Sequence, residues 1–116
     1  MNVEKFILAI KNRPLMYVEQ IRIDYIFYLL KGYVGSNLSI EEKKEIDYTF
    51  KQKFYQWVLA WANKNTDKVF ETSESYYWHK ILSEVSDSEQ SAVNLFFELC
   101  DTFFEEYHRE RHDNNI

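Results

Sequence analysis

The stretch VNLFFELCDTFFEEY, residues 93–107, decides the fold. Its large apolar side chains recur at steps of three and four residues, which is the spacing of one face of an α-helix. These side chains are Val93, Phe96, Phe97, Cys100, Phe103, Phe104 and Tyr107. The opposite face is polar and carries Asn94, Glu98, Asp101 and Glu105. The pattern predicts an amphipathic helix whose aromatic face lies in a core.

Four further segments have helical patterns, so the sequence predicts an all-α fold, a single-domain bundle of about five helices spanning residues 1–116. The predicted helices run from a cap at Asn2 to about Asn12, from Tyr25 to about Tyr33, from Ile40 to about Asn63, from Tyr76 to Val85, and from Ser88 to about Arg109. We expect residues 110–116 to form a frayed tail.

Besides Asn2, residues of the N-cap type precede three of the other helices. Asp24 is the predicted cap of the second helix, while capping boxes at Ser39–Glu42 and Asp87–Gln90 introduce the third and fifth. Gly35 and Asn37 suit the end of the second helix. The polar stretch 64–75 is predicted to be a loop.

The only proline lies in Arg13-Pro14-Leu15-Met16-Tyr17, between the first two predicted helices. Proline fixes its own φ and disfavours the helical conformation of the preceding residue, so the chain is expected to turn here and continue in an extended stretch. Met16 and Tyr17 are predicted to pack back on the bundle.

Composition narrows the possible classes of protein. Aromatic residues make up 18% of the chain and supply a core, while only two glycines and one proline argue against an all-β fold. A single cysteine excludes an internal disulfide. Because no apolar run resembles a signal peptide or reaches the length of a membrane span, we expect a cytoplasmic protein without a membrane role.

Charge is distributed unevenly along the chain. Residues 1–66 carry ten Lys and Arg against seven Asp and Glu, whereas residues 67–116 carry four against twelve. An acidic half repels phosphate backbones and attracts basic partners. The sequence therefore argues against nucleic-acid binding and favours a basic protein partner.

The polar face of the fifth predicted helix carries three carboxylates in succession, Glu98, Asp101 and Glu105. A solvated surface is one interpretation, and a docking face for a cationic partner is the other. Tyr76-Tyr77-Trp78 cannot all face inward on a helix, so at least one of them is expected to be exposed. Exposed Tyr and Trp are common binding hot spots, and simple packing is the alternative.

No pattern predicts catalysis, a metal site or a cofactor. His108 and His112 have the spacing of zinc ligands, but Arg109 stands where the zincin motif requires glutamate, which favours a solvated tail. Cys100 lies on the apolar face, where a thiol stays protonated and inert. We therefore expect a protein that is not an enzyme.

Four groups of residues together resemble a group of small bacterial proteins associated with polymorphic toxin and contact-dependent growth inhibition systems. They are Arg13-Pro14-Leu15-Met16-Tyr17, Lys31-Gly32-Tyr33, Phe54 with Trp57, and Phe96-Phe97-Glu98-Leu99-Cys100-Asp101-Thr102-Phe103. They span most of the chain, although the group commonly has glycine where Leu15 stands.

The resemblance implies an immunity protein that neutralises a cognate toxin domain by covering its active site, and the acidic second half of the chain favours a basic nuclease as that toxin. It supplies no catalytic residues. The contact surface predicted for this role is Glu98, Asp101 and Glu105 with the aromatic residues Tyr76, Tyr77 and Trp78. The alternative is a regulatory or adaptor module that binds another protein, or a small ligand in an aromatic-lined pocket.

Overall fold

The computed structural model describes residues 1–35, 44–72 and 77–114. Within them the chain forms five helices and a short 3-10 turn at Pro14–Met16, and none of these residues is in a strand. The helices are α1 Val3–Asn12, α2 Ile23–Val34, α3 Glu45–Asn65, α4 Trp78–Val85 and α5 Glu89–Asn114. The prediction of an all-α bundle of about five helices is confirmed. None of the helices in these ranges has both the length and the apolarity needed to cross a membrane.

Aromatic rings from three helices form the centre of the bundle. Phe54 of α3 meets Phe96 and Phe103 of α5 edge to face, with ring centroids 6.0 and 5.2 Å apart. Trp78 of α4 stacks on Phe96 at 4.8 Å with the rings nearly parallel. The predicted apolar faces of α3 and α5 are therefore the faces that build the core, although Trp57 and Tyr107 are only half-buried.

The first helix begins where the sequence predicts. The Asn2 side chain accepts a hydrogen bond from the Lys5 N–H at 2.9 Å, which caps α1. A carboxylate of α3 adds a second acceptor, because the Val3 N–H donates to Asp47 Oδ1 at 2.6 Å. The start of α1 is thus fixed both locally and by a neighbouring helix.

The predicted cap of the second helix is wrong. Helix α2 begins at Ile23, so Asp24 lies inside its first turn, where its carboxylate binds the Arg22 guanidinium at 3.0 and 3.1 Å. The buried Ile23 N–H donates instead to Glu89 Oε1, 2.9 Å away at the start of α5. A residue 66 positions along the chain therefore supplies the cap.

Replacing Glu89 with alanine is expected to lower the free energy of unfolding by about 1 kcal/mol, the usual cost of losing a helix cap. Glutamine keeps an acceptor oxygen at the same place, so Glu89→Gln is expected to cost less. Urea unfolding followed by circular dichroism measures both variants. An unchanged unfolding midpoint for Glu89→Ala would show that the bond to the Ile23 N–H does not stabilise the protein.

The starts of α3 and α5 also differ from the predictions. Helix α3 begins at Glu45 after the extended residue Lys44, so the predicted start at Ile40 is wrong. The capping box at Ser39–Glu42 and the end residue Asn37 lie outside the described residues. At α5 the cap is Ser88, whose hydroxyl accepts from the Ser91 N–H at 3.0 Å, one residue later than predicted.

Helix α5 continues to Asn114, past the predicted end at Arg109. Two contacts join this end of α5 to other helices. His108 lies 2.8 Å from Glu4 of α1, and the Arg111 guanidinium pairs with Glu45 of α3. The helix therefore includes residues 110–114, which were predicted to belong to a frayed tail.

Candidate interaction surface

The three acidic residues of α5 lie on its exposed side, as predicted. Two of them have cationic neighbours: Lys11 Nζ lies 3.7 Å from Asp101, and the Arg109 guanidinium lies 3.1 Å from Glu105. All four of these side chains are largely exposed, and such surface pairs contribute about 0–1 kcal/mol. The carboxylates therefore remain available to a partner that offers better-placed cations.

Helix α1 lies beside α5 and creates a groove along the acidic residues. A hollow of about 260 Å³ is bordered by Leu8 and Lys11 on one side and by Phe97, Asp101 and Glu105 on the other. Its walls bring carboxylates from α5 next to an apolar side chain of α1.

A second hollow, of about 370 Å³, shares Lys11 and Phe97 with the first and reaches Pro14 and Glu98. The 3-10 turn after α1 and the acidic residues of α5 therefore border one continuous surface. We call it the α1–α5 face, defined by Leu8, Lys11, Pro14, Glu98, Asp101 and Glu105.

Two exposed apolar residues, Leu15 and Met16, follow Pro14 directly in the chain, next to this face but outside the lining of the two hollows. Leu15 is 67% and Met16 68% exposed, so the prediction that Met16 packs on the bundle is wrong. Tyr17 does pack, edge to face on Phe6 with centroids 5.5 Å apart. Successive side chains in a 3-10 turn point in different directions. The packing of Tyr17, the residue that ends the turn, therefore leaves Leu15 and Met16 in solvent.

Sequence reasoning did not assign Leu15 and Met16 to a contact surface, because it expected Met16 to pack on the bundle and used the Pro14 segment only as a turn and as part of the family resemblance. The sequence does contain a signal for their exposure. Leu15 and Met16 directly follow a proline that ends a helix, so they lie in a connection, and connections run over the protein surface. Exposed apolar groups beside a polar rim are typical of a protein contact, and Met is enriched in such contacts.

The structure places the predicted aromatic contacts elsewhere. Trp78 is only 6% exposed and packs on Phe96, so its assignment to the contact surface is corrected to the core. Successive helical residues are 100° apart, which puts Glu98 about 200° around α5 from Phe96, facing away from Trp78. Tyr77 is 40% exposed on the Trp78 side, and Tyr76 lies outside the described residues. The two predicted halves of the surface are therefore not brought together.

The side chains considered for chemistry have structural surroundings. Burial raises the pKa of the Cys100 thiol well above its ordinary value, and nearby Asp101 adds to the effect, so the thiol stays protonated. His108 pairs with Glu4, as described above. Across residues 1–35, 44–72 and 77–114, no group of three or more His, Cys, Asp or Glu side chains is placed to hold a metal ion.

Comparison with known proteins adds no relative. The chain matches no protein-family model, no curated protein and no solved structure.

Proposed function

We propose that this protein is a cytoplasmic immunity protein that binds a cognate bacterial toxin domain, a basic nuclease, through the α1–α5 face and covers its active site. The observation that carries the proposal is that three exposed carboxylates and the exposed Leu8 border two hollows that share Lys11 and Phe97, while the exposed Leu15 and Met16 directly follow Pro14, which borders one of them. The motif resemblance given by Arg13-Pro14-Leu15-Met16-Tyr17 and residues 96–103 supports the same class.

The charge of this face suits a nuclease as partner. A nuclease active site holds cations where the phosphates of its substrate bind, and carboxylates such as Glu98 and Asp101 can pair with those cations. Opposite charges also steer the two proteins together, which speeds association. An inhibitor that uses this face would therefore compete directly with nucleic acid.

The apolar side chains have a separate role in the proposal. Leu15 and Met16 protrude into solvent, and burying them against a partner removes apolar surface from water at about 25 cal/mol per Å². The carboxylates then form the polar rim around this contact. Charge accounts for the rate and the choice of partner, and apolar burial for the lifetime of the complex.

The test first identifies the neighbouring open reading frame, where the proposal expects a toxin, and then measures binding to the C-terminal domain of that toxin. Combining Glu98→Lys with Asp101→Lys is expected to weaken binding about tenfold or more and to reduce its dependence on salt. Combining Leu15→Ala with Met16→Ala is expected to weaken binding by a similar factor, with the salt dependence retained. Surface plasmon resonance at two salt concentrations measures both effects.

A matched control separates the face from net charge. Asp67→Lys with Glu84→Lys makes the same change in charge at exposed positions outside the α1–α5 face, and is expected to alter affinity far less. Equal losses in the two charge-reversed proteins would show that only net charge matters. Absence of binding by the unsubstituted protein, or failure to inhibit the toxin, would contradict the immunity role.

A further inference from the structure

A cleft of about 640 Å³ opens between α2 and α3, with α4 at its base. Its walls are apolar and include Phe27, Leu30, Phe50 and Trp78, all of which are buried among their neighbours. The volume falls within the range of about 300–1,000 Å³ that is common for small-molecule sites. The α1–α5 face shares none of the residues that line this cleft.

Among the described residues, the charged residues that line the cleft are cationic. Lys31 and Lys51 line it, with Gln52 and the phenol rings of Tyr28 and Tyr55 completing the polar border. Within the described part of the chain, no Asp or Glu lines it, although the protein as a whole carries more acidic than basic residues. Lys51 is exposed and directly follows Phe50 in α3, so a cation stands at the edge of the apolar wall.

We propose that this cleft binds a small amphiphile with an apolar hydrocarbon or aryl body and one anionic head group, such as a carboxylate. The body would lie against Phe27, Phe50 and Trp78, where it leaves water, and the head would remain at the rim near Lys51. This arrangement satisfies both parts of the ligand, because the charge is paired without being buried. The proposal is independent of the immunity role and concerns a different part of the surface.

The experiment compares two fluorescent probes of similar shape, anionic 1-anilinonaphthalene-8-sulfonate and neutral N-phenyl-1-naphthylamine. We expect both probes to bind the folded protein and Lys51→Glu to weaken the anionic probe about fivefold to tenfold while leaving the neutral probe nearly unchanged. Lys53→Glu is the matched control, because it reverses the same charge at an exposed position of α3 that does not line the cleft. Equal losses for the two variants, or no loss for Lys51→Glu, would overturn the proposal.

A second measurement, by NMR, tests where the ligand binds. The chain has two glycines, Gly32 and Gly35, and both line the cleft. Glycine amides occupy a separate region of a nitrogen–proton NMR spectrum, so two isolated signals report on the site. Decanoate is expected to shift both signals at concentrations that displace the anionic probe. Displacement with neither glycine signal moved would place binding elsewhere and overturn the assignment.

Discussion

Replacing Phe96 with alanine is expected to lower the free energy of unfolding by about 3–5 kcal/mol. The Phe96 ring is fully buried and lies between Trp78 of α4 and Phe54 of α3. Its removal leaves a cavity at the point where three helices meet, and the stacked partner loses its contact surface. Domains of this size have a total stability of about 5–15 kcal/mol, so this single change removes a large part of it.

Thermal unfolding followed by circular dichroism measures this loss as a melting temperature lower by about 10–20 °C. Phe96→Leu keeps most of the apolar volume and is expected to cost clearly less. Glu98→Ala, two residues along on the exposed side of α5, is the matched surface control and is expected to change stability by less than about 0.5 kcal/mol. A Phe96→Ala protein as stable as this control would contradict the packing of Trp78 on Phe96.

The sequence was sufficient for the parts of the fold that depend on local periodicity. The buried and exposed sides of α5 follow from the spacing of its aromatic residues, because a helix places residues three and four apart on one face. It was insufficient where a distant residue supplies the partner. Glu89 caps the start of α2, and Glu45 pairs with Arg111 near the end of α5. No window of local sequence contains both members of either pair.

The sequence predicted correctly that the carboxylates of the candidate surface are exposed, but it did not predict which large apolar side chains are exposed. Glu98 and Asp101 are exposed because their side of α5 lacks apolar residues altogether. The exposure of Trp78 and of Met16 depends instead on which neighbours cover them. The sequence assigned Trp78 to the surface and Met16 to the core, and the structure reverses both assignments. Residue type alone does not decide burial for a large apolar side chain that flanks a helix.

Among the described residues, His79 is the polar residue that is buried in the core. It is 5% exposed, and its ring lies 4.0 Å from that of Phe27, measured between centroids. Its Nδ1 atom is buried and has no hydrogen-bond partner among the described residues. Burial lowers the pKa of His79 below its ordinary value, and the nearby cation Lys80 lowers it further, against a weaker opposite effect of Asp24.

Acidification from pH 7 toward pH 5 is therefore expected to destabilise the protein through His79. Because its pKa is lower in the folded protein, the unfolded chain binds this proton first as the pH falls below about 6.5. Stability is lost at up to about 1.4 kcal/mol per pH unit between the ordinary pKa and the lowered one. Above that window the histidine is neutral in both states and contributes no pH dependence.

Urea unfolding at a series of pH values between 7 and 5.5 tests this expectation, since most carboxylates remain ionised there. His79→Phe replaces the ring by one that carries no proton, and is expected to reduce the slope of stability against pH. His112→Gln replaces an exposed histidine near the end of α5 and is the matched control, which is expected to leave the slope nearly unchanged. If the slope survives His79→Phe, the acid sensitivity arises from other groups. In that case the folded protein would hold the protonated His79 ring without loss of stability. The ring contacts Phe27 and Tyr77, and its Nδ1 atom has no acceptor among the described residues, so the structure argues against this outcome.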